Sequence, residues 1–171
     1  MLYYPTAAFR GHYENRALFI AHVKKEGKIL LDRRGFLREV LAKPFTPVVN
    51  IEEGITGHLI RLRPYVDPTR FDNNFLFCLA HLYSIGKGVV MLALADAGAL
   101  EFDRKRAFKR FTRLHPSLRS QIAAITVLRP FYNLVTGRRP EPLPFSYHRA
   151  KRPMRMAVAA IRALAKHTTG R

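Results

Sequence analysis

A single cysteine, Cys78, precludes an intrachain disulfide, and its neighbours Phe77 and Leu79 place the thiol in an apolar setting. That usage points to a reducing compartment, with the cytoplasm as the expected location. The chain does not open with a basic region followed by an uninterrupted apolar stretch, so no secretory signal is expected. Its longest apolar run, 75–95, is broken by His81, Ser84 and Lys87, which favours a core helix over a bilayer span of about 20 residues. There is no HExxH and no pair of histidines at i and i+4, so no metal site is expected. There is no Walker loop or GxGxxG either, since Gly86-Lys87-Gly88 falls inside the apolar helical run, and no cofactor is expected.

Acidic residues are also scarce: 12 Asp and Glu stand against 30 Lys and Arg, for a formal charge of +18. The 48% hydrophobic content still supplies an ordinary core. The excess is uneven, at +3 over residues 1–60, +1 over 61–100 and +14 over 101–171. Charge gathered this way describes one electropositive face or tail that meets a polyanion. Nucleic acid, RNA or DNA, is the expected partner. A membrane partner is disfavoured because the apolar side of the last helix is mostly alanine.

Hydrophobic spacing predicts a mainly α protein, a helical bundle with a short extended segment near the N-terminus. From Glu14, the positions Leu18, Phe19, His22 and Val23 are helical, and Gly27 is placed to end that helix in a left-handed turn. A short strand or extended turn over 29–31 follows. Asp32 then caps a helix bearing Phe36, Leu37, Val40 and Leu41. A packed connection with one short helix is expected before Asp72 or Asn73 caps the long apolar helix. Gly86 and Gly88 permit a close helix contact or a kink there. Asp103 caps a basic helix with Ala107, Phe108, Phe111, Leu114 and Leu118 inward, and 117–135 is helical with a kink at Pro130. Residues 138–153, rich in Pro and Arg, read as an extended arm before a final helix from Met154 to Lys166. The expected division is 1–47, 48–137 and 138–171.

The stretch 18–37, LFIAHVKKEGKILLDRRGFL, resembles the end of the polymerase-beta-like nucleotidyltransferase fold, where a histidine-bearing helix leads into an EGK/R-x-L-x-D-R-x-G-F turn. The segments FLFCLAHLYSIGKGVV through GALEFDRKRAFKRFTRLHPSL resemble the helical domain of the HEPN class that accompanies such enzymes. The resemblance spans about residues 14–135. It implies phosphoryl transfer on carboxylate-held metal ions, yet no acid precedes Glu14. The expectation is therefore a nucleotidyltransferase-like protein without its catalytic carboxylates, which binds nucleic acid or serves a catalytic nucleotidyltransferase partner.

Two groups of candidate residues follow. Arg110 and His115 fit the Arg-x4-His spacing of HEPN ribonucleases, which resemblance implies a catalytic pair, commonly across a homodimer. There the histidine moves the 2′-hydroxyl proton and the arginine offsets charge on the phosphate. On an ideal helix the two lie about 140° apart, so the alternative is that His115 caps a helix end and Arg110 meets phosphate or solvent. The nucleic-acid-binding set comprises Arg104, Lys105, Arg106, Lys109 and Arg113 on the basic helix, and Arg138, Arg139, Arg149, Lys151, Arg152 and Arg155 along the arm. Phe108, Phe111, Phe131 and Tyr132 are candidates for base stacking, with core packing as the alternative. His22 and His81 are expected to be hydrogen-bonded core histidines, and Glu52, Glu53 and Asp67 solvated acids.

Overall fold

The computed structural model describes residues 5–33, 35–67, 71, 74–137 and 146–170. Among these the chain is helical with no strand, and it divides into two compact units, 1–50 and 51–171. The mainly α expectation is met.

In the first unit, α1 (Thr6–Glu14), α2 (Leu18–Glu26) and α3 (Phe36–Ala42) close over Phe9, Ile20 and Val40. Phe9 meets Phe19 and Phe36 edge-on, at centroid distances of 6.4 and 6.2 Å. Lys24 Nζ donates to the Leu41 carbonyl at 2.6 Å and so ties α2 to the end of α3. Helix α1 has no counterpart in the sequence reading, because one buried residue, Phe9, gives too little periodicity to see. Gly27 does not turn left-handed: its φ of −70° and ψ of 144° make it extended. The positive φ belongs to Gly35, at 68°, which precedes α3, while the Asp32 carboxylate accepts from the Arg38 amide at 2.9 Å. Residues 29–31 pair with no strand among the described residues, and Leu30 is 93% exposed. A lone extended segment has no ladder in which to satisfy its backbone, so it stays coil. His22 lies on the surface, 3.3 Å from Glu26, not in the core.

The second unit is built on α5 (Phe75–Asp96), with α4 (Ile51–Leu62), a 3-10 turn (Arg63–Val66), α6 (Arg104–Leu114), α7 (Arg119–Thr126), α8 (Arg129–Val135) and α9 (Tyr147–Thr169) around it. Helix α5 is long and apolar enough to cross a membrane by composition. Its Cys78, Leu79, Leu82, Tyr83, Ile85, Val89, Val90 and Leu94 are instead buried among the surrounding helices. Each buried Leu or Ile of this kind contributes roughly 1.5–3 kcal/mol. Gly86 is needed here, since a Cβ would fall 2.8 Å from Ile125 Cγ2 on α7. The expected cap residues Asp72 and Asn73 lie outside the described residues, and Asn74 takes the N-cap position without a side-chain bond. At the other end Gly98, φ 63°, turns the chain out.

The stretch 117–135 is two helices, not one kinked one. Pro116 starts a 3-10 turn, and Pro130 sits in the first turn of α8, where its missing amide breaks no bond. Helix α9 begins at Tyr147 rather than Met154 and carries Pro153 inside it. An interior proline costs about 3 kcal/mol. Burial of Ala150, Met154, Ala157, Ile161 and Leu164 against the bundle outweighs that. Arg138 and Arg139 lie outside the described residues.

Candidate nucleic-acid interface

Helix α6 is set by a working cap. The Asp103 side chain accepts the Arg106 amide at 2.9 Å, and that bond holds its carboxyl below the usual range. Ala107, Phe108 and Phe111 are buried, so rotation about the axis is fixed and Lys105, Arg106, Lys109 and Arg113 are left exposed. Thr112 folds its hydroxyl back to the Phe108 carbonyl at 2.9 Å.

On this outer side a groove of about 750 Å³ opens between α6 and the start of α7. Arg106, Lys109, Arg110, Arg113 and Arg119 line it, with Glu101 as its acid. Glu101 is engaged: its Oε2 lies 3.4 Å from Arg106 Nε. The cations therefore face the groove in excess. Arg119 belongs to α7 and was missed from the sequence. It stands five residues beyond the α6 helix, behind Pro116, and only the 3-10 turn brings it alongside.

Arg104 lies apart from the groove. Its guanidinium sits 5.1 Å over the Tyr132 ring, and its Nη1 is buried without a hydrogen-bond partner among the described residues. Tyr132 also meets Tyr83 at 5.1 Å and Phe131 packs on the same core, so neither is presented for base stacking; Phe108 and Phe111 are core residues. Lys87, half-buried on α5, is pushed below the usual lysine range by burial and by the neighbouring Arg104 charge.

Arg110 and His115 take different positions. Arg110 lines the groove; His115 is not among its lining and forms the C-cap of α6. Its ring packs on Phe111 at 4.6 Å, and its Nδ1 shares a 3.0 Å hydrogen bond with Nε2 of His167, near the end of α9. Burial and the His167 ring hold His115 below the ordinary histidine range. His167 was missed because the apolar period of the last helix stops at Ala165. The signal available was its place in the last turn, where cations suit the negative end of a helix.

Arg149, Lys151, Arg152 and Arg155 are all exposed on α9. They stand on a packed helix and not on an arm. A second concavity, of about 540 Å³, is lined by His148, Lys151, Arg152, Arg155, Met156 and Ala159.

Elsewhere, an apolar pocket of about 580 Å³ is lined by residues that include Tyr65, Phe71, Phe77, Cys78 and His81. Asn74, Ser84 and Thr136 also line it, and the Tyr65 hydroxyl is hydrogen-bonded with His81 Nδ1; burial raises the Tyr65 hydroxyl to about 12. His81 is thus hydrogen-bonded as expected, but at the surface. The described residues hold no group of three or more His, Cys, Asp or Glu placed to share a metal ion.

Set against family models, curated proteins and solved structures, the chain matches none of them.

Proposed function

We propose that the chain is a nucleic-acid-binding protein that grips the phosphate backbone through the groove between α6 and α7. The observation that carries this reading is the convergence of Arg106, Lys109, Arg110, Arg113 and Arg119 on one concavity whose acid is already paired. Like charges three and four residues apart destabilise a free helix, and phosphates relieve that cost. Side chains that read base edges have no particular arrangement here, so binding follows backbone and shape rather than sequence. The nucleotidyltransferase-like segment at 18–37 gives this protein its ancestry in the proposal, and a catalytic nucleotidyltransferase is its proposed protein partner.

Affinity for a generic oligonucleotide should fall steeply between about 50 and 200 mM salt, with log K dropping by roughly 0.7–0.9 per phosphate contacted for each log unit of salt. An affinity that stays flat over that range defeats the proposal.

The His115–His167 bond favours a second reading, metal-independent RNA cleavage. One imidazole would take the 2′-hydroxyl proton as the 2′-oxygen attacks phosphorus, and the other would protonate the departing 5′-oxygen. Because Arg110 lines the groove and His115 does not, the arginine that offsets charge on the phosphate would come from a second copy of the chain. Cleavage in EDTA that disappears in folded His115→Ala supports this reading. Equal background cleavage by both proteins removes it.

A further inference from the structure

Helix α9 has 23 residues and no acid among them. At 100° per residue, His148, Lys151, Arg152, Arg155, Arg162 and Lys166 fall within an arc of about 100°. All six are exposed, as is Ala159, the remaining position on that arc. The buried residues Ala150, Met154, Ala157, Ile161 and Leu164 take the opposite side. From 148 to 166 the row is about 27 Å long at 1.5 Å per residue. Packing therefore holds this stripe as a continuous line of positive charge along one side of the helix. The sequence reading ended the arm at 153 and began the last helix at Met154, which split the row, and Arg162 and Lys166 stood outside the binding set.

The stripe joins the groove at one corner. Arg113 precedes His115 by two residues and Lys166 directly precedes His167, so the 3.0 Å histidine bond brings the ends of the two basic surfaces together. A partner engaging both must present phosphates over a distance longer than either surface alone.

We infer that α9 is a second backbone-binding surface and that the partner is a duplex nucleic acid, laid along the stripe and into the α6–α7 groove; this rests on the nucleic-acid reading above. Charge density and composition favour the duplex. Double-stranded DNA carries one charge per ~1.7 Å of axis, so a cationic row of this length lies in a denser field of phosphates on a duplex than on a single strand. Single-strand binders place aromatic rings where bases can stack. The stripe has no Phe, Tyr or Trp: its positions are Lys, Arg, His and Ala. A lipid surface would require large apolar groups flanking the cations, and Met156 is the exposed large apolar residue on this helix.

The test uses the full chain, a 20-base-pair duplex, one of its single strands, and vesicles rich in phosphatidylserine. Two double variants are compared with the parent by fluorescence anisotropy across a salt series: Arg155→Gln/Arg162→Gln on α9 and Lys109→Gln/Arg113→Gln on α6. Glutamine keeps helix propensity, and circular dichroism confirms the fold of each. The parent should bind the duplex more tightly than the strand. Each double variant should lower the duplex salt slope by about two, so that the affinity lost between 50 and 200 mM shrinks by about 12-fold. An unchanged slope in the α9 variant, with the α6 variant affected, overturns the stripe and leaves the groove standing. Failure of both variants to change the slope overturns the nucleic-acid reading itself. Equal or tighter binding of the single strand overturns the duplex assignment, as does capture of vesicles through Arg155 and Arg162 without duplex binding.

Discussion

The contact between Gly86 and Ile125 fixes how closely α7, and with it Arg119, can approach the centre of the bundle. A methyl at position 86 would lie 2.8 Å from Ile125 Cγ2, 2.9 Å from Cδ1 and 3.2 Å from Cγ1. Ordinary carbon contacts lie near 3.5–4.0 Å, so α7 must give by more than half an ångström or Ile125 must leave its rotamer. Overpacking of this size costs roughly 1–3 kcal/mol, while alanine gains about 1 kcal/mol of helix propensity over glycine. Gly86→Ala should therefore destabilise by up to about 2 kcal/mol. Ile125 is fully buried, and Ile125→Ala alone should cost about 2–5 kcal/mol through the cavity it leaves. In the double variant the new methyl occupies space vacated by all three crowded atoms, so the two losses should not add. The coupling should favour the double variant by about 1–2 kcal/mol, within the range seen for residues in contact. Urea denaturation followed at 222 nm measures all four proteins. Additivity to within about 0.5 kcal/mol would refute the close approach of α5 and α7.

Other expectations are more direct. Asp103→Ala removes the α6 cap and should cost about 1 kcal/mol in the same denaturation assay. Arg104→Met should lose a cation–π contact worth about 0.5–2 kcal/mol yet leave the salt slope of nucleic-acid binding unchanged, unlike Arg113→Gln, whose slope should fall by about one. His58 and His115 both have folded values held below the ordinary histidine value of 6.5, by burial first, then by neighbouring charge from Arg61 and His167 respectively. The unfolded chain then binds more protons, so stability from these groups is complete above about pH 6.5 and is lost as the pH falls through their folded values. A pH series of urea midpoints checks this, and the acid loss should lessen in His115→Gln.

Where local chemistry and packing agree, the sequence was a good guide. The Asp103 cap, the inward Ala107, Phe108 and Phe111, and the glycine at 86 are each dictated within a turn or two, and the structure has them as read; Leu114, read as inward with them, is exposed where the helix ends. The basic arc of α6 followed from the same periodicity. What could not be read locally was decided by distant partners. Composition around Pro140 to Pro153 argues for an arm, but α5 supplies an apolar surface on which Ala150 and Met154 can be buried, and the helix extends back through Pro153. The segment 29–31 has strand-forming residues and no strand to pair with. The placement of Arg119 beside Lys109, and of His167 against His115, depends on how α7 and α9 dock, which spacing along one helix does not encode.

Cys78 also gives this protein an internal clock. Its side chain is buried in α5 at the wall of the apolar pocket, and burial raises the thiol above its usual range, so an alkylating or disulfide reagent too bulky for that pocket reaches it only when the bundle opens. The labelling rate is then the fraction of time spent open multiplied by the rate for a free thiol, and one mass shift reports one event per molecule. Repulsion within α6 and α9 sets part of that opening frequency. A polyanion that settles on those helices should slow the modification of a sulfur it never touches.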